Sequence, residues 1–287
     1  MTQPEFEPHP LTIRLEQIRW LLDVQRASDA VALLHQLIAS YPAEVEPYCY
    51  LAYALDGLER YAEAEQAAAR AVATDPQCEW AHRLRSSALL SLGKAKLAQE
   101  AAHTAVQLDP ELALGWRSLA NAELALNNLP GAQGAAERAR ELAPEDAGVH
   151  LLLGQISNSG GLLSAAEAHF RQALNLDPES LSALNGLAAT LYTCGRRPEA
   201  IELYYQGVRR CPGEKRLRQN LLIVIEEYLN PTDLAGTLIG CALVLFAPLF
   251  GMIRSYQDDQ ERLRRLESLS PEIRRFYYEE RKRKHKP

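Results

Sequence analysis

Apolar positions recur along this chain with helical spacing, in paired stretches separated by short polar breaks. "AHRLRSSALLSL" and "KLAQEAAHTAVQL" are one such pair, each long enough for a helix and rich in strong helix formers. Prolines stand at 42, 76, 110, 144, 178 and 212, each 34 residues after the last. Twelve residues before each proline sits an alanine: Ala30, Ala64, Ala98, Ala132, Ala166 and Ala200. Five residues before the prolines come Leu37, Ala71, Ala105, Ala139, Ala173 and Gly207. The pattern predicts six helical hairpins in tandem. Gly93, Gly161 and Gly195, and Asn127 in the fourth unit, sit between the two helices, where a helix end needs a left-handed residue. The proline lacks an N–H and stops the second helix. Small residues at fixed offsets let the paired helices approach closely, and hairpins of this kind bury their apolar faces only by stacking.

In its 34-residue period, its small-residue positions and its closing proline the chain resembles the tetratricopeptide repeat family, best over 45–212. The large–small pair of the first helix appears as Leu51–Ala52, Leu119–Ala120, Leu153–Gly154 and Leu187–Ala188. The resemblance implies an all-α fold: a right-handed α-solenoid of about six helix-turn-helix repeats with a capping helix and a C-terminal apolar helix. Residues 11–214 form the solenoid, with repeats at 11–44 (degenerate, with Gln25 at its turn), 45–78, 79–112, 113–146, 147–180 and 181–214. Residues 1–10, with three prolines, read as a disordered lead-in, and 215–230 as the capping helix. In the third repeat Arg85 falls where a leucine is expected, and Leu84 takes the core role instead. The stretch "LLIVI", Leu221 to Ile225, is apolar nearly all round and calls for a cover.

No catalytic constellation accompanies the repeats. There is no glycine-rich phosphate loop, no G-x-S-x-G and no H-E-x-x-H, and the seven histidines are scattered with none at i, i+4 from another. His82, His150 and Trp116 occupy equivalent places and read as helix-packing residues. We therefore expect neither an enzyme nor a cofactor or metal site. Five cysteines (Cys49, Cys78, Cys194, Cys211 and Cys241) without C-x-x-C spacing fit a reducing compartment rather than a disulfide framework.

The resemblance also implies a groove in which the first helices bind an extended peptide or helix of a partner protein. Equivalent offsets place Tyr53, Trp80, Arg83, Ser87, Arg117, Asn121, Leu151, Gln155, Asn185 and Tyr192 on that face. Aromatic, guanidinium and carboxamide groups suit stacking, carboxylate recognition and backbone hydrogen bonding. Arg83 and Arg117, one repeat apart, mark a place for an acidic group of the ligand. The basic clamp of the chaperone-tail-binding members is matched only at Arg117-x-x-x-Asn121; the sixth unit holds Ser182 and Gly186 where its later cations would fall.

Charge and hydropathy change the picture only beyond the repeats. Residues 1–253 carry a net charge of -10 and residues 254–287 one of +4, so nucleic acid is not an expected partner. Leu234–Ile253, "LAGTLIGCALVLFAPLFGMI", contains no charged residue and no carboxamide, and has the ~20-residue length a membrane span requires. It is expected to tether the chain to membrane lipid as a single-pass or monotopic segment. The repeats would then be cytoplasmic, since no secretory signal opens the sequence. Pro248 kinks the segment or turns it back. The alternative is a soluble subunit whose apolar helix is buried against its own repeats or a partner. Residues 254–287 read as a charged, basic-ended tail of two short helices broken at Ser270–Pro271. The tail lies on anionic lipid or stands in solvent.

Overall fold

In a computed structural model of the chain, the structure describes residues 10–229 and 261–284. Two compact units divide it, Met1–Gly160 and Gly161–Pro287. The first holds α1 (Pro10–Asp23), α2 (Ala27–Ser40), α3 (Val45–Gly57), α4 (Tyr61–Thr74), α5 (Glu79–Ser91), α6 (Ala95–Leu108), α7 (Ala113–Ala125), α8 (Leu129–Leu142) and α9 (Ala147–Ser159). The second holds α10 (Leu163–Leu176), α11 (Leu181–Thr193), α12 (Arg197–Arg210) and α13 (Lys215–Leu229), followed by α14 (261–268) and α15 (Pro271–Lys284). Among the described residues there is no strand. Up to α13 this is the expected all-α run of repeat helices. The apolar stretch Leu234–Ile253, expected to form a further helix, lies outside the described residues.

Every hairpin turn uses the same backbone device. Gln25, Glu59, Gly93, Asn127, Gly161 and Gly195, spaced 34 residues apart, all have φ between 59° and 77°. Around Gly93 the amide of Lys94 donates to Leu89 O (2.8 Å) and that of Gly93 to Leu90 O (2.9 Å). This closure satisfies carbonyls the helix would otherwise leave open. Sequence placed the turn at five of these positions and gave no sign of Glu59, because glutamate is not a left-handed former.

The hairpins close on very small residues. Ala30, Ala64, Ala98, Ala132, Ala166 and Ala200 are all fully buried. Ala68, Ala102 and Ala136, four residues further along α4, α6 and α8, are fully buried too. With Ala71, Ala105 and Ala139, also fully buried, each of these three helices carries three alanines on one stripe, which allow backbones to approach where longer side chains would hold them apart. In α10 and α12 the equivalent places carry Phe170 and Tyr204, also buried. Space for the Phe170 ring comes from Gly186 on α11, where a Cβ would sit 2.6 Å from the ring. Packing thus requires glycine at a position where the groove comparison sought a cation.

A second recurring contact ties each hairpin to the next. Four residues into a first helix a side chain donates to the carbonyl of the preceding proline. The pairs are Tyr48 to Pro42 (3.2 Å), His82 Nε2 to Pro76 (3.0 Å), Trp116 Nε1 to Pro110 (2.8 Å), His150 Nε2 to Pro144 (3.0 Å) and Arg218 to Pro212 (2.8 Å). In the sixth repeat the position holds buried Leu184, which has no donor, and Arg210 supplies one to Pro178 O instead. The expected packing role of His82, His150 and Trp116 thus has a specific content. Each is a donor that closes a carbonyl left open beyond a helix end.

In the second unit "LLIVI" is largely covered: Leu221, Leu222, Val224 and Ile225 are buried while Ile223 faces outward. One sequence expectation is corrected there. The tail is not simply a solvated or lipid-lying appendage, because Leu266, Leu269, Ile273 and Tyr277 are buried. Within this unit Arg265 Nη1 donates to Tyr228 O (3.2 Å), and the Tyr228 hydroxyl meets Ser268 Oγ (3.0 Å). The Phe276 and Tyr205 rings pack edge to face at 6.0 Å. In the third repeat Leu84 is buried, and Arg85 remains half-exposed beside Glu65 at 3.4 Å.

The turns give a direct test. Glu59→Gly removes a left-handed penalty and should raise the thermal midpoint, less the extra backbone entropy glycine loses. Gly93→Ala, where no atom lies within 4 Å of a new Cβ, should cost about 1 kcal/mol through the backbone alone. Differential scanning calorimetry checks both signs.

Candidate interaction face

Contacts between helices set which side of a stack can receive a ligand. In the first unit, successive first helices touch: α1 with α3, α3 with α5, α5 with α7 and α7 with α9. Consecutive second helices make no comparable contact among the described residues. The stack therefore closes on the first-helix side, and α3, α5, α7 and α9 line its concave face.

Eight of the ten residues expected on this face lie in the first unit. Tyr53 is 55% exposed on α3. Trp80 is half-buried, its ring edge-on to that of Tyr50 at 4.9 Å. Ser87 and Gln155 are exposed, and Leu151 is half-buried. Asn121 donates through Nδ2 to Arg117 O at 3.0 Å, which holds its carboxamide against its own helix. Asn185 and Tyr192 belong to the second unit. There the Asn185 carboxamide accepts from Asn220 (3.1 Å), and the Tyr192 hydroxyl donates to Glu227, with the Arg197 guanidinium 5.9 Å from its ring centre. By accepting that hydrogen bond, the Glu227 carboxylate holds the Tyr192 hydroxyl above its ordinary pKa.

The two arginines singled out for an acidic ligand group are not bare cations. Arg83 Nε pairs with Glu79 Oε1 at 2.8 Å, four residues back on α5. Arg117 Nη1 pairs with Asp146 Oδ2 at 2.8 Å, across to the residue that opens α9. Asp146 also accepts from Gly148 N (2.7 Å), and a Cβ at 148 would lie 2.6 Å from Arg117 Nη1. The glycine therefore gives the guanidinium its place. Partly exposed pairs of this kind contribute about 0.2–1 kcal/mol each. An incoming carboxylate meets fixed, already neutralised guanidinium groups, so charge alone does not select it. Sequence reasoning missed this because Glu79 and Asp146 stand at helix starts, where acidic residues have an ordinary place.

Two further features of the face were also missed. Arg19 donates to the Tyr50 hydroxyl and lies 5.6 Å from its ring centre, so Arg19, Tyr50 and Trp80 form a ladder across three first helices. Asp56, also on α3, has its Oδ1 buried with no hydrogen-bond partner among the described residues. Burial pushes the Asp56 carboxyl above its usual pKa, and Ser87 of the neighbouring α5 acts the other way. Alignment of the period could have found Asp56, three residues after Tyr53 on the same face. Among the described residues no group of His, Cys, Asp or Glu side chains could hold a metal ion.

A tetratricopeptide repeat family model matches residues 15–78, 117–180 and 159–215, together more than half of the sequence. The chain belongs to the tetratricopeptide repeat family. No curated protein sequence matches it. Among solved structures it is similar to TTC0263, a thermophilic tetratricopeptide protein of Thermus thermophilus. The TM-score is 0.61 at 26% identity, over 64% of this chain and all of that one. The type IV pilus biogenesis factor PilW matches with a TM-score of 0.64 at 14% identity, over 75% of this chain and all of that one. The Cut9–Hcn1 hetero-tetramer matches with a TM-score of 0.66 at 16% identity. There the likeness spans 73% of this chain and only 42% of the matched one. At such identities the last two likenesses speak for the tetratricopeptide fold alone.

Asp56 supplies a pH test. Its folded pKa is raised, so its contribution to stability is present below the unfolded value near 4 and is lost as pH rises through the folded one. Asp56→Asn should therefore raise the unfolding midpoint at pH 7, and the gain should vanish towards pH 3, as followed by circular dichroism.

Proposed function

We propose that this protein is a scaffold that binds a peptide or helix of a partner protein along the first-helix face of its repeats. One observation carries the reading. Side chains that build the stack point into it as alanines and proline-directed donors, whereas Tyr53, Ser87 and Gln155 on the first helices stay exposed. Exposed aromatic area beside carboxamides suits a ligand that offers apolar side chains and backbone groups. An acidic group on that ligand would share Arg83 or Arg117 with Glu79 or Asp146 rather than meet a free cation.

The flanks of Leu234–Ile253 bear on its role. No helix among the described residues is long and apolar enough to cross a membrane. A single crossing would set the ends of the segment ~30 Å apart on opposite sides of a bilayer. The hydrogen bonds from Arg265 to Tyr228 O and between Tyr228 and Ser268 instead keep the two flanks together. This favours the alternative in which the apolar segment is buried against its own chain or a partner, over a single-pass anchor.

A photo-crosslinking side chain at Tyr53 should capture the partner, whereas the same group at Leu97, exposed on a second helix, should not. Equal capture from both positions, or capture from Leu97 alone, would place binding elsewhere.

A further inference from the structure

A repeat stack normally ends with a helix that covers the last apolar face and turns a polar side outward. The sequence after Pro212 offers α13 for that task, yet α13 has the burial pattern of an interior first helix. In α11 the buried residues include Ala183, Leu187, Ala188, Thr190 and Leu191. Thirty-four residues later, Leu217, Leu221, Leu222, Val224 and Ile225 are buried in α13. Leu184 has its counterpart in Arg218, which donates to Pro212 O as other first helices do to their prolines. A first helix so buried requires a second helix to cover it.

The last helix of the chain has the sequence of one. Pro198-Glu199-Ala200-Ile201-Glu202-Leu203-Tyr204-Tyr205 opens α12, and Pro271-Glu272-Ile273-Arg274-Arg275-Phe276-Tyr277-Tyr278 opens α15. Burial follows the same register. Proline and glutamate are exposed in both; Ala200 and Tyr204 are buried in α12, Ile273 and Tyr277 in α15. The two differ where a following repeat would pack: Ile201 is buried, while Arg274 is half-exposed and Tyr278 is 50% exposed. That is the polar outer side expected of a terminal helix. Phe276 meets Tyr205 of the preceding second helix, and Ser270 caps α15 by accepting from Ile273 N at 3.4 Å.

We infer that the chain carries a seventh repeat, interrupted in sequence: α13 is its first helix and α15 its second. The interruption is a long insertion that contains the apolar stretch Leu234–Ile253, and the repeat closes on either side of it. Two consequences follow for the molecule. Gln219, Ile223 and Glu226 occupy on α13 the offsets of Asn185, Ala189 and Tyr192 on α11, so the interaction face of the second unit extends over a seventh first helix. The hydrogen bonds from Asn220 to Asn185 and from Tyr192 to Glu227 join α13 to α11 along this face. The insertion, moreover, leaves and re-enters one hairpin, so whatever engages it is fixed to the end of the repeat stack.

Hydrogen–deuterium exchange on the full chain and two variants tests the inference. Replacing residues 230–260 with a twelve-residue Gly/Ser linker should leave amides of 273–280 protected within about threefold of the parent. Loss of that protection would mean α15 depends on the insertion rather than on α13, and would overturn the inference. In the full chain, Tyr277→Ala should lower protection of both α15 and 221–225 of α13 by tenfold or more. Deprotection of α15 alone, with α13 unchanged, would also overturn it.

Discussion

Close approach of paired helices at alanine is the constraint on which the rest of this structure depends. Two helices meet this closely only where neither presents a side chain longer than a methyl group, and packed interiors leave no slack for a misfit. Fully buried Ala64, Ala68 and Ala71 on α4, repeated 34 residues later on α6 and again on α8, meet that requirement. The closeness fixes the two helices of a hairpin relative to each other. The proline-carbonyl contacts then fix each hairpin relative to the next. Where α10 carries Phe170 instead, the compensation is visible in Gly186.

From this geometry the division of labour on the first helices follows. One side of each is used up by packing and by donation to the preceding proline; the other is left on the concave face with Tyr53, Ser87 and Gln155 exposed. Binding by such a face needs no moving part and no reactive group. The internal ion pairs of Arg83 and Arg117 keep it close to neutral at its centre, so shape and hydrogen bonding would outweigh net charge in choosing a ligand.

Much of the fold was legible because a period of 34 repeats the same physical demand many times over. Proline, alanine and left-handed positions each report a backbone requirement that few residues meet. Glu59 escaped notice because its conformation is imposed by the hairpin around it against its own preference. The interaction face was legible only as a set of offsets. Offsets say which way a side chain starts from the backbone, and not that Glu79 and Asp146 would neutralise the two arginines. The tail was misread for a different reason. The 34-residue proline period ends at Pro212, and the Pro-Glu-x-x-x-x-Tyr-Tyr echo at 271–278 lies out of its register. Local hydropathy then made the apolar stretch look like the end of the folded chain.

Methyl-sized contacts set the stack, while Tyr53 stays exposed on the first-helix side. The direct measurement is the thermal unfolding of Ala132→Leu beside that of Tyr53→Ala. Overpacking at fully buried Ala132 should cost about 1–3 kcal/mol and lower the midpoint by several degrees. Tyr53→Ala, on the exposed face, should leave the midpoint within a degree or two. An unchanged midpoint for Ala132→Leu, or a large drop for Tyr53→Ala, would contradict the account.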